Sequence, residues 1–292
     1  MRLKQPNQKG AEDENFPVAS WLIQKPQRKH IGAFYAFARN ADDIADDPNL
    51  TADEKVERLD LLEKALIGSR SQTPSHKPGT AQNNVETARR MRQSLEETRI
   101  TNQHCLDLLI AFRQDAVKSR YADWQELADY CNHSASPVGR YLLDLHGEDK
   151  NGYTASDALC NALQVLNHLQ DCAQDLKRID RVYLPGDWMA RDGASITDLF
   201  ESKTSQNLRK VFDRCLDRVD IWLAEADGLP SLLSNRGLAA ESEAIVVVAH
   251  RLSALLRLRD PLATSVKLSS FAYGISLIQG AWRYLTHRTN AA

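Results

Sequence analysis

The chain has 292 residues, of which 42% are hydrophobic and 26% are charged, and its formal net charge is −2 at pH 7. This composition is typical of a globular protein with a large core. The near-neutral charge argues against nucleic acid as a partner, because nucleic-acid binding needs a concentrated basic surface. The sequence contains no apolar run of about 18 residues, so no membrane span is predicted. The first residues are polar, so no signal peptide is predicted. Five cysteines without C-x-x-C spacing are expected to be reduced thiols in a cytoplasmic protein.

The hydrophobic periodicity predicts a chain made almost entirely of helices. Residues 1–14 are polar and are expected to be flexible, and one helical domain is expected over residues 15–292. Helices are predicted over residues 27–47, 51–67, 85–99, 103–118, 123–145, 154–178, 195–203, 206–226, 238–258 and 261–287. Strand signals are scarce. The most strand-like run, Ile-Val-Val-Val at 245–248, lies within a longer helical pattern and is predicted as helix.

Two places interrupt this periodicity. The Pro- and Gly-containing residues 68–82 are expected to form an exposed loop inside the domain, since helical periodicity resumes after them. Pro137 and Gly139 are expected to kink the helix over residues 123–145. Small residues precede this kink, so a ligand would be able to approach the backbone closely there.

The helix predicted over residues 154–178 carries a polar face within an apolar surrounding. Because an α-helix turns 100° per residue, one face of about 80° collects two amides and two carboxylates. These residues are Gln164, Asn167, Asp171 and Asp175. Hard cations such as Mg²⁺ prefer oxygen ligands and often bridge protein carboxylates to substrate phosphates. A solvated surface face is the alternative interpretation of this helix taken alone.

A second acidic face is predicted on the helix over residues 27–47. Asp42 and Asp46 are four residues apart and share a face with Tyr35 and Arg39, and Asp43 and Asp47 add further charge. Like charges at this spacing repel each other by a few tenths of a kcal/mol per pair, and a divalent cation would offset that cost. The two acidic faces together predict a cavity between facing helices, with metal held from both sides.

Two further segments complete a resemblance to a known family. Residues 130–139 read Y-C-x-x-x-A-x-x-V-G, and Arg181-Val-Tyr183-Leu-Pro follows the second acidic motif. With the two acidic motifs, and with Gln164 and Asn167 as substrate-side amides, the chain resembles the squalene/phytoene synthase family from residue 15 to about residue 285. The resemblance implies an all-α, single-domain class I isoprenoid synthase, which is a helical bundle with a central cavity.

The resemblance is narrower in three segments, at residues 15–20, 37–46 and 134–140. These are similar to the bacterial hydroxysqualene synthases of hopanoid biosynthesis, which ionise presqualene diphosphate and trap the cation with water. Presqualene diphosphate is therefore the expected substrate. Condensing members of the family usually carry Arg and Glu where this chain has Gln170 and Gln174, and an enzyme that handles one diphosphate would need less fixed charge.

The resemblance also implies which residues form the site. Mg²⁺ is expected on Asp42, Asp46, Asn167, Asp171 and Asp175, and Tyr130 is expected to join the four acids as a catalytic residue. Contacts with the substrate are expected from Phe16, Ser20, Tyr35, Arg39, Gln164, Asn167, Lys177, Arg181 and Tyr183. Lys177 and Arg178 also suit a purely structural role, since cations complement the carboxyl end of a helix. The group that positions the water stays open among Tyr130, Gln164, His133 and His168.

Several alternatives remain beside this interpretation. Head-to-head condensation of two prenyl diphosphates is the main one, and a catalytically dead assembly protein is another. NADPH is not expected as a cofactor, because water capture needs no hydride and no G-x-G-x-x-G fingerprint is present. Peripheral contact with the inner membrane, through residues 261–287, and with neighbouring pathway enzymes is left open; the same apolar face would also close the bundle.

Overall fold

The computed structural model describes residues 25–69 and 80–268. The predicted flexible segment 1–14, the site residues Phe16 and Ser20, and most of the predicted helix 261–287 lie outside these residues. The described chain is almost entirely helical, so the predicted all-α class is confirmed. Among the described residues, no helix combines the length and the apolar character needed to cross a bilayer.

Eleven α-helices and one pair of short strands make up the described part of the chain. In order they are α1 (Lys25–Ala45), α2 (Ala52–Ile67), α3 (Thr80–Thr98), α4 (Gln103–Val117), β1 (Arg120–Tyr121), α5 (Trp124–Ser134), α6 (Ser136–His146), α7 (Tyr153–Ile179), β2 (Val182–Pro185), α8 (Gly186–Asp192), α9 (Gln206–Ala226), α10 (Leu229–Leu232) and α11 (Arg236–Leu258). Short 3₁₀ turns lie at Lys150–Gly152 and Ile196–Phe200. The predicted helix over 195–203 is therefore a five-residue 3₁₀ turn.

The ends of α2 follow directly from its sequence. Thr51 accepts a hydrogen bond from the Glu54 backbone N–H, and the Glu54 carboxylate accepts one from the Thr51 N–H at 2.8 Å, which is a capping box. Gly68 ends the helix with φ of 81°, a left-handed conformation that costs glycine little.

The predicted helix over residues 123–145 is two helices rather than one kinked helix. Ala135 separates α5 from α6 with φ of −119° and ψ of −49°. Pro137 has no N–H, and its ring would collide with the carbonyl of residue 133 in a continuous helix, so the chain restarts here with Pro137 in the first turn of α6. The break places small residues beside the central cavity.

A small parallel sheet, which the periodicity does not reveal, pairs Arg120 of β1 with Val182 of β2. The Val182 N–H donates to the Ser119 carbonyl at 2.9 Å. This pairing holds the chain that leaves α7 against the end of α4. It thereby brings Arg181 and Tyr183 to Asp115.

Two hydrophobic clusters fill the described part of the fold. The smaller one packs α1 to α4 around residues such as Phe37 and Met91, and includes Tyr141 from α6. The larger one joins α5 to α11 around α7, with Leu166 and Phe212 fully buried. α7 packs most extensively against α9, so one side of this helix is core and its polar side is left for the cavity.

The contact between α6 and α7 yields a stability prediction. A Cβ on Gly139 would lie 2.8 Å from the Cys160 Sγ and closer still to the Ser156 Oγ. We expect Gly139→Ala to lower the free energy of unfolding by about 1–3 kcal/mol through overpacking, which thermal melting measures as a shift of about 2–4 °C per kcal/mol.

Gly32 on α1 is the matched control, because a Cβ there meets nothing within 4 Å. Gly32→Ala should leave the melting temperature unchanged or raise it, since alanine is favoured over glycine in a helix by about 0.5–1 kcal/mol. Equal melting temperatures for wild type and Gly139→Ala would contradict the tight α6–α7 contact.

Candidate active site

One cavity of about 440 Å³ collects almost all of the predicted site residues that the structure describes. α1 and α7 supply most of its polar lining. The predicted residues that line it are Tyr35, Arg39, Asp42, Asp46, Tyr130, Gln164, Asn167, Asp171, Asp175, Arg181 and Tyr183. The two acidic helix faces therefore meet in a single cavity, as the spacing of their residues predicts.

The α1 side of the cavity carries Asp42 and Asp46 one helical turn apart. Arg39, one turn earlier, contacts the Asp42 carboxylate at 3.1 Å and the Asp43 carboxylate at 2.7 Å. Burial in the cavity wall and the neighbouring Asp46 raise the pKa of Asp42 to about 7. A cation bound beside Asp42 and Asp46 would relieve the repulsion between these two carboxylates.

The carboxyl end of α7 is joined to this acidic face by two arginines. Arg178 contacts the Asp46 carboxylate at 3.0 Å, and Arg181 contacts the other oxygen of the same carboxylate at 3.0 Å. Lys177 is exposed and does not line the cavity. It lies about 120° around the helix from Asp171. The geometry therefore does not support the predicted contact between Lys177 and substrate.

Asp115 is a buried member of the site that the sequence analysis missed. Its carboxylate accepts a hydrogen bond from the Tyr130 hydroxyl at 2.8 Å and lies 3.5 Å from the Arg181 Nε, and its backbone carbonyl accepts one from Arg181 at 2.9 Å. Burial raises its pKa to about 6 despite the nearby arginine. The sequence signal that could have identified Asp115 is its position on α4, where it continues the buried face formed by Leu108 and Phe112.

Aromatic rings cover the cavity wall beside this network. The His168 ring stacks on Tyr183 with centroids 3.5 Å apart, and Tyr130 lies 5.6 Å from Tyr183. Burial and the charge of Arg181 lower the pKa of His168 to about 3, so this imidazole is neutral. These rings line the same cavity as the acids, and aromatic rings near a carboxylate-rich site suit a cation formed beside a departing anion.

The two glutamines that distinguish this chain from condensing relatives have different surroundings. Gln170 lines the cavity, and its amide donates to the backbone carbonyl of Val266, a buried residue beyond α11. Gln174 is exposed and lies outside the cavity lining. Neither residue adds charge to the cavity, and Gln170 anchors the segment that follows α11.

The rest of the cavity is mostly apolar, although Ser156, Glu241, Ser242 and Lys267 also line it. This apolar part is formed by Ile31, Phe34, Leu142, Leu143, Leu159, Leu163, Leu229, Leu238 and Ile245. Fully burying each CH₂ of a ligand here would contribute about 0.8 kcal/mol. The cavity therefore suits a molecule with a long apolar body and an anionic head.

The donor set fits Mg²⁺ held jointly with a phosphate group. Carboxylate and amide oxygens from Asp42, Asp46, Asn167, Asp171 and Asp175 line the same cavity. Within the described ranges, no three His, Cys, Asp or Glu side chains form a protein-only metal cage. Mg²⁺ commonly uses one or two protein carboxylates, waters and substrate phosphates rather than such a cage.

Comparison with known proteins agrees with this architecture. The sequence profile of the squalene/phytoene synthase family matches residues 10–272. The hydroxysqualene synthase of Rhodopseudomonas palustris is 42% identical over 264 residues, which cover 90% of this chain and 86% of the relative. The hydroxysqualene synthase of Sinorhizobium fredii is 41% identical over 257 residues, which cover 88% of this chain and 84% of the relative.

A solved structure gives the same result. The structure of squalene synthase HpnC from Alicyclobacillus acidocaldarius superposes with a TM-score of 0.68 and 28% identity, covering 82% of this chain and 87% of that one. The fold is thus that of helical isoprenoid synthases, and the chain belongs to the squalene/phytoene synthase family. The resemblance and the fold class inferred from the sequence are confirmed.

The raised pKa of Asp42 leads to a prediction about metal binding. Mg²⁺ competes with the proton on this carboxylate, whose pKa is about 7, so the affinity for Mg²⁺ should rise as the pH rises from 6 to 8. Calorimetric titration in buffers of different ionisation enthalpy should also detect proton release at pH 7. Equal dissociation constants at pH 6 and pH 8, with no proton release, would contradict this account of Asp42.

Proposed function

We propose that this protein converts presqualene diphosphate and water into hydroxysqualene and diphosphate, as a Mg²⁺-dependent step of hopanoid biosynthesis. The observation that best supports this proposal is that two acidic helix faces and a long apolar wall line the same cavity. A C30 diphosphate ester needs both surfaces. The two relatives of about 40% identity are named for this activity.

Departure of diphosphate is the demanding step, because negative charge accumulates on the leaving oxygen. Mg²⁺, when bound by Asp42, Asp46, Asn167, Asp171 and Asp175, would neutralise this charge and so lower the barrier by several kcal/mol. Arg39 and Arg178 line the same end of the cavity and would donate hydrogen bonds to phosphate oxygens. Hydrogen bonds from Arg178 and Arg181 orient the Asp46 carboxylate before substrate binds.

The carbocation left behind needs a wall that stabilises positive charge and excludes bulk water. Tyr35, Tyr130 and Tyr183 line the cavity near the acids, and each aromatic face contributes about 0.5–2 kcal/mol to a nearby cation. The leucine-lined part would hold the two hydrocarbon arms. These residues would stabilise the cation and exclude other nucleophiles until one water molecule attacks it.

Condensation of two prenyl diphosphates is the alternative within this family. Gln170 argues against it, because this uncharged residue lines the cavity and anchors the Val266 backbone where condensing members usually carry Arg. An enzyme that handles a single diphosphate has less need of that charge. Gln174 carries no such argument, because it is exposed and outside the cavity lining.

The chemistry of the reaction also bears on cofactor and location. Addition of water changes no oxidation state, so we propose that NADPH has no part in turnover. The hydrocarbon body of the substrate partitions into lipid, so we infer a cytoplasmic protein that collects its substrate at the membrane surface. The predicted contact segment, residues 261–287, lies mostly outside the described residues.

Product analysis tests the proposal. With presqualene diphosphate, Mg²⁺ and no reductant, mass spectrometry should detect hydroxysqualene and an equal amount of inorganic diphosphate, and added NADPH should change neither. Farnesyl diphosphate alone should remain unused. Condensation of farnesyl diphosphate, or conversion of presqualene diphosphate to squalene only when NADPH is present, would overturn the proposed function.

Asp171→Asn is the variant that ties this activity to the acidic faces. It removes one ligand charge without making a cavity, so turnover should fall by at least about a hundredfold while the thermal melt is unchanged. Asp129→Asn is the matched control, because Asp129 is exposed on α5 and outside the cavity. Equal activity of both variants would remove Asp171 from the metal site.

A further inference from the structure

We propose that His168 and Gln164 together hold the water molecule that captures the carbocation. The inference deepens the proposed function and rests on it. Sequence reasoning leaves four candidates for this role, and the structure separates them by location and by hydrogen bonding.

His168 and Gln164 lie where an attacking water is needed. Both line the cavity on α7, and His168 precedes Asp171 by three residues, which is about 4.5 Å along the helix axis. The cation rearranges within the cavity that also holds the departing diphosphate. A water that reaches it must therefore be held by side chains that line this cavity, and these two do so next to the metal-binding acids.

The two side chains form a pair that has hydrogen-bonding capacity to spare. The Nε2 of Gln164 lies 3.2 Å from the Nε2 of His168. If the amide donates to the ring, the amide oxygen is left to accept and the ring Nδ1–H to donate. If the amide is reversed, the ring Nδ1 is left to accept and the amide N–H to donate. In either arrangement one donor and one acceptor can serve a water molecule.

The surroundings of His168 differ from those of the structural histidines. His104 contacts the Asp144 carboxylate at 2.8 Å, and His250 contacts the Asp227 carboxylate at 2.8 Å. Among the residues that the structure describes, no carboxylate forms such an ion pair with the His168 ring. The ring is instead oriented by stacking on Tyr183 at an angle of 12°, without an ion pair.

The other candidates are less suited to the role. The Tyr130 hydroxyl donates its proton to Asp115 at 2.8 Å, so it is committed to positioning that carboxylate. The His133 ring bonds the Asp129 carbonyl on its own helix at 2.9 Å and does not line the cavity. The described structure thus reduces four sequence candidates to the pair on α7.

The step balances without an oxidant or reductant. The C–O bond to diphosphate breaks, and the electron pair leaves with the diphosphate. After rearrangement, a lone pair of the water held by Gln164 and His168 forms a C–O bond to the cation, and one proton of the resulting oxonium passes to the departed diphosphate. A protonated alcohol is so strong an acid that a diphosphate oxygen suffices as acceptor.

His168→Phe tests the proposal, because phenylalanine keeps a ring that stacks on Tyr183 and removes both nitrogens. With presqualene diphosphate and Mg²⁺, we expect diphosphate release to persist while the hydroxysqualene fraction of the products falls at least about tenfold. Olefins formed by proton loss should replace it. A structural role for His168 would change stability or rate but not this partition. His133→Phe is the matched control and should give the wild-type product ratio.

Hydroxysqualene as the main product of His168→Phe, in the wild-type proportion, would overturn the proposal. If this variant releases no diphosphate, Gln164→Leu decides, since it leaves the imidazole and its stacking intact. A lower alcohol fraction in Gln164→Leu supports the water-binding pair, and an unchanged fraction overturns it. Failure of the proposed function is a separate outcome, because there the wild type itself would make no hydroxysqualene.

Discussion

The buried guanidinium of Arg181 is the contact on which the site depends. It donates to the carboxylate of Asp46, the residue that follows α1, to the Asp115 carbonyl of α4 and to the Tyr183 hydroxyl of β2. A buried charge without partners costs several kcal/mol, so Arg181, 5% exposed, holds these elements together. Its pKa is raised by Asp115 and other neighbouring groups against the effect of burial, so it stays charged.

This network explains why two acidic faces persist in one cavity. Unpaired carboxylates on facing helices would repel each other and favour an open structure, but Arg39, Arg178 and Arg181 supply compensating charge. The same arrangement gives the cavity a part rich in carboxylates and arginines and a part that is mostly apolar. Charge develops on the diphosphate beside the acids and on carbon beside the rings, so each part of the reaction meets a complementary wall.

Much of this account follows from residue spacing, and the exceptions have physical causes. Helical periodicity places Asp171 and Asp175 on one face, and the predicted first residue of the helix over 51–67 is the N-cap of α2. Asp115 was missed because its only sequence signal is its position on the apolar face of α4 with Leu108 and Phe112, and that position does not reveal its partners Tyr130 and Arg181. The β1–β2 pair was missed because strands of two and four residues have no visible periodicity. The break at Ala135 was predicted only as a kink, since its depth depends on packing around α6 and α7.

The central claim is that both acidic faces bind metal together around one diphosphate. A crystal structure of the protein grown with Mn²⁺ and inorganic diphosphate tests it most directly, because the anomalous signal of Mn²⁺ locates each ion. The account predicts ions that contact a phosphate oxygen, with Asp42 or Asp46 of α1 and Asp171 or Asp175 of α7 both among the ligands. Ions confined to one helix, or diphosphate bound away from this cavity, would contradict it.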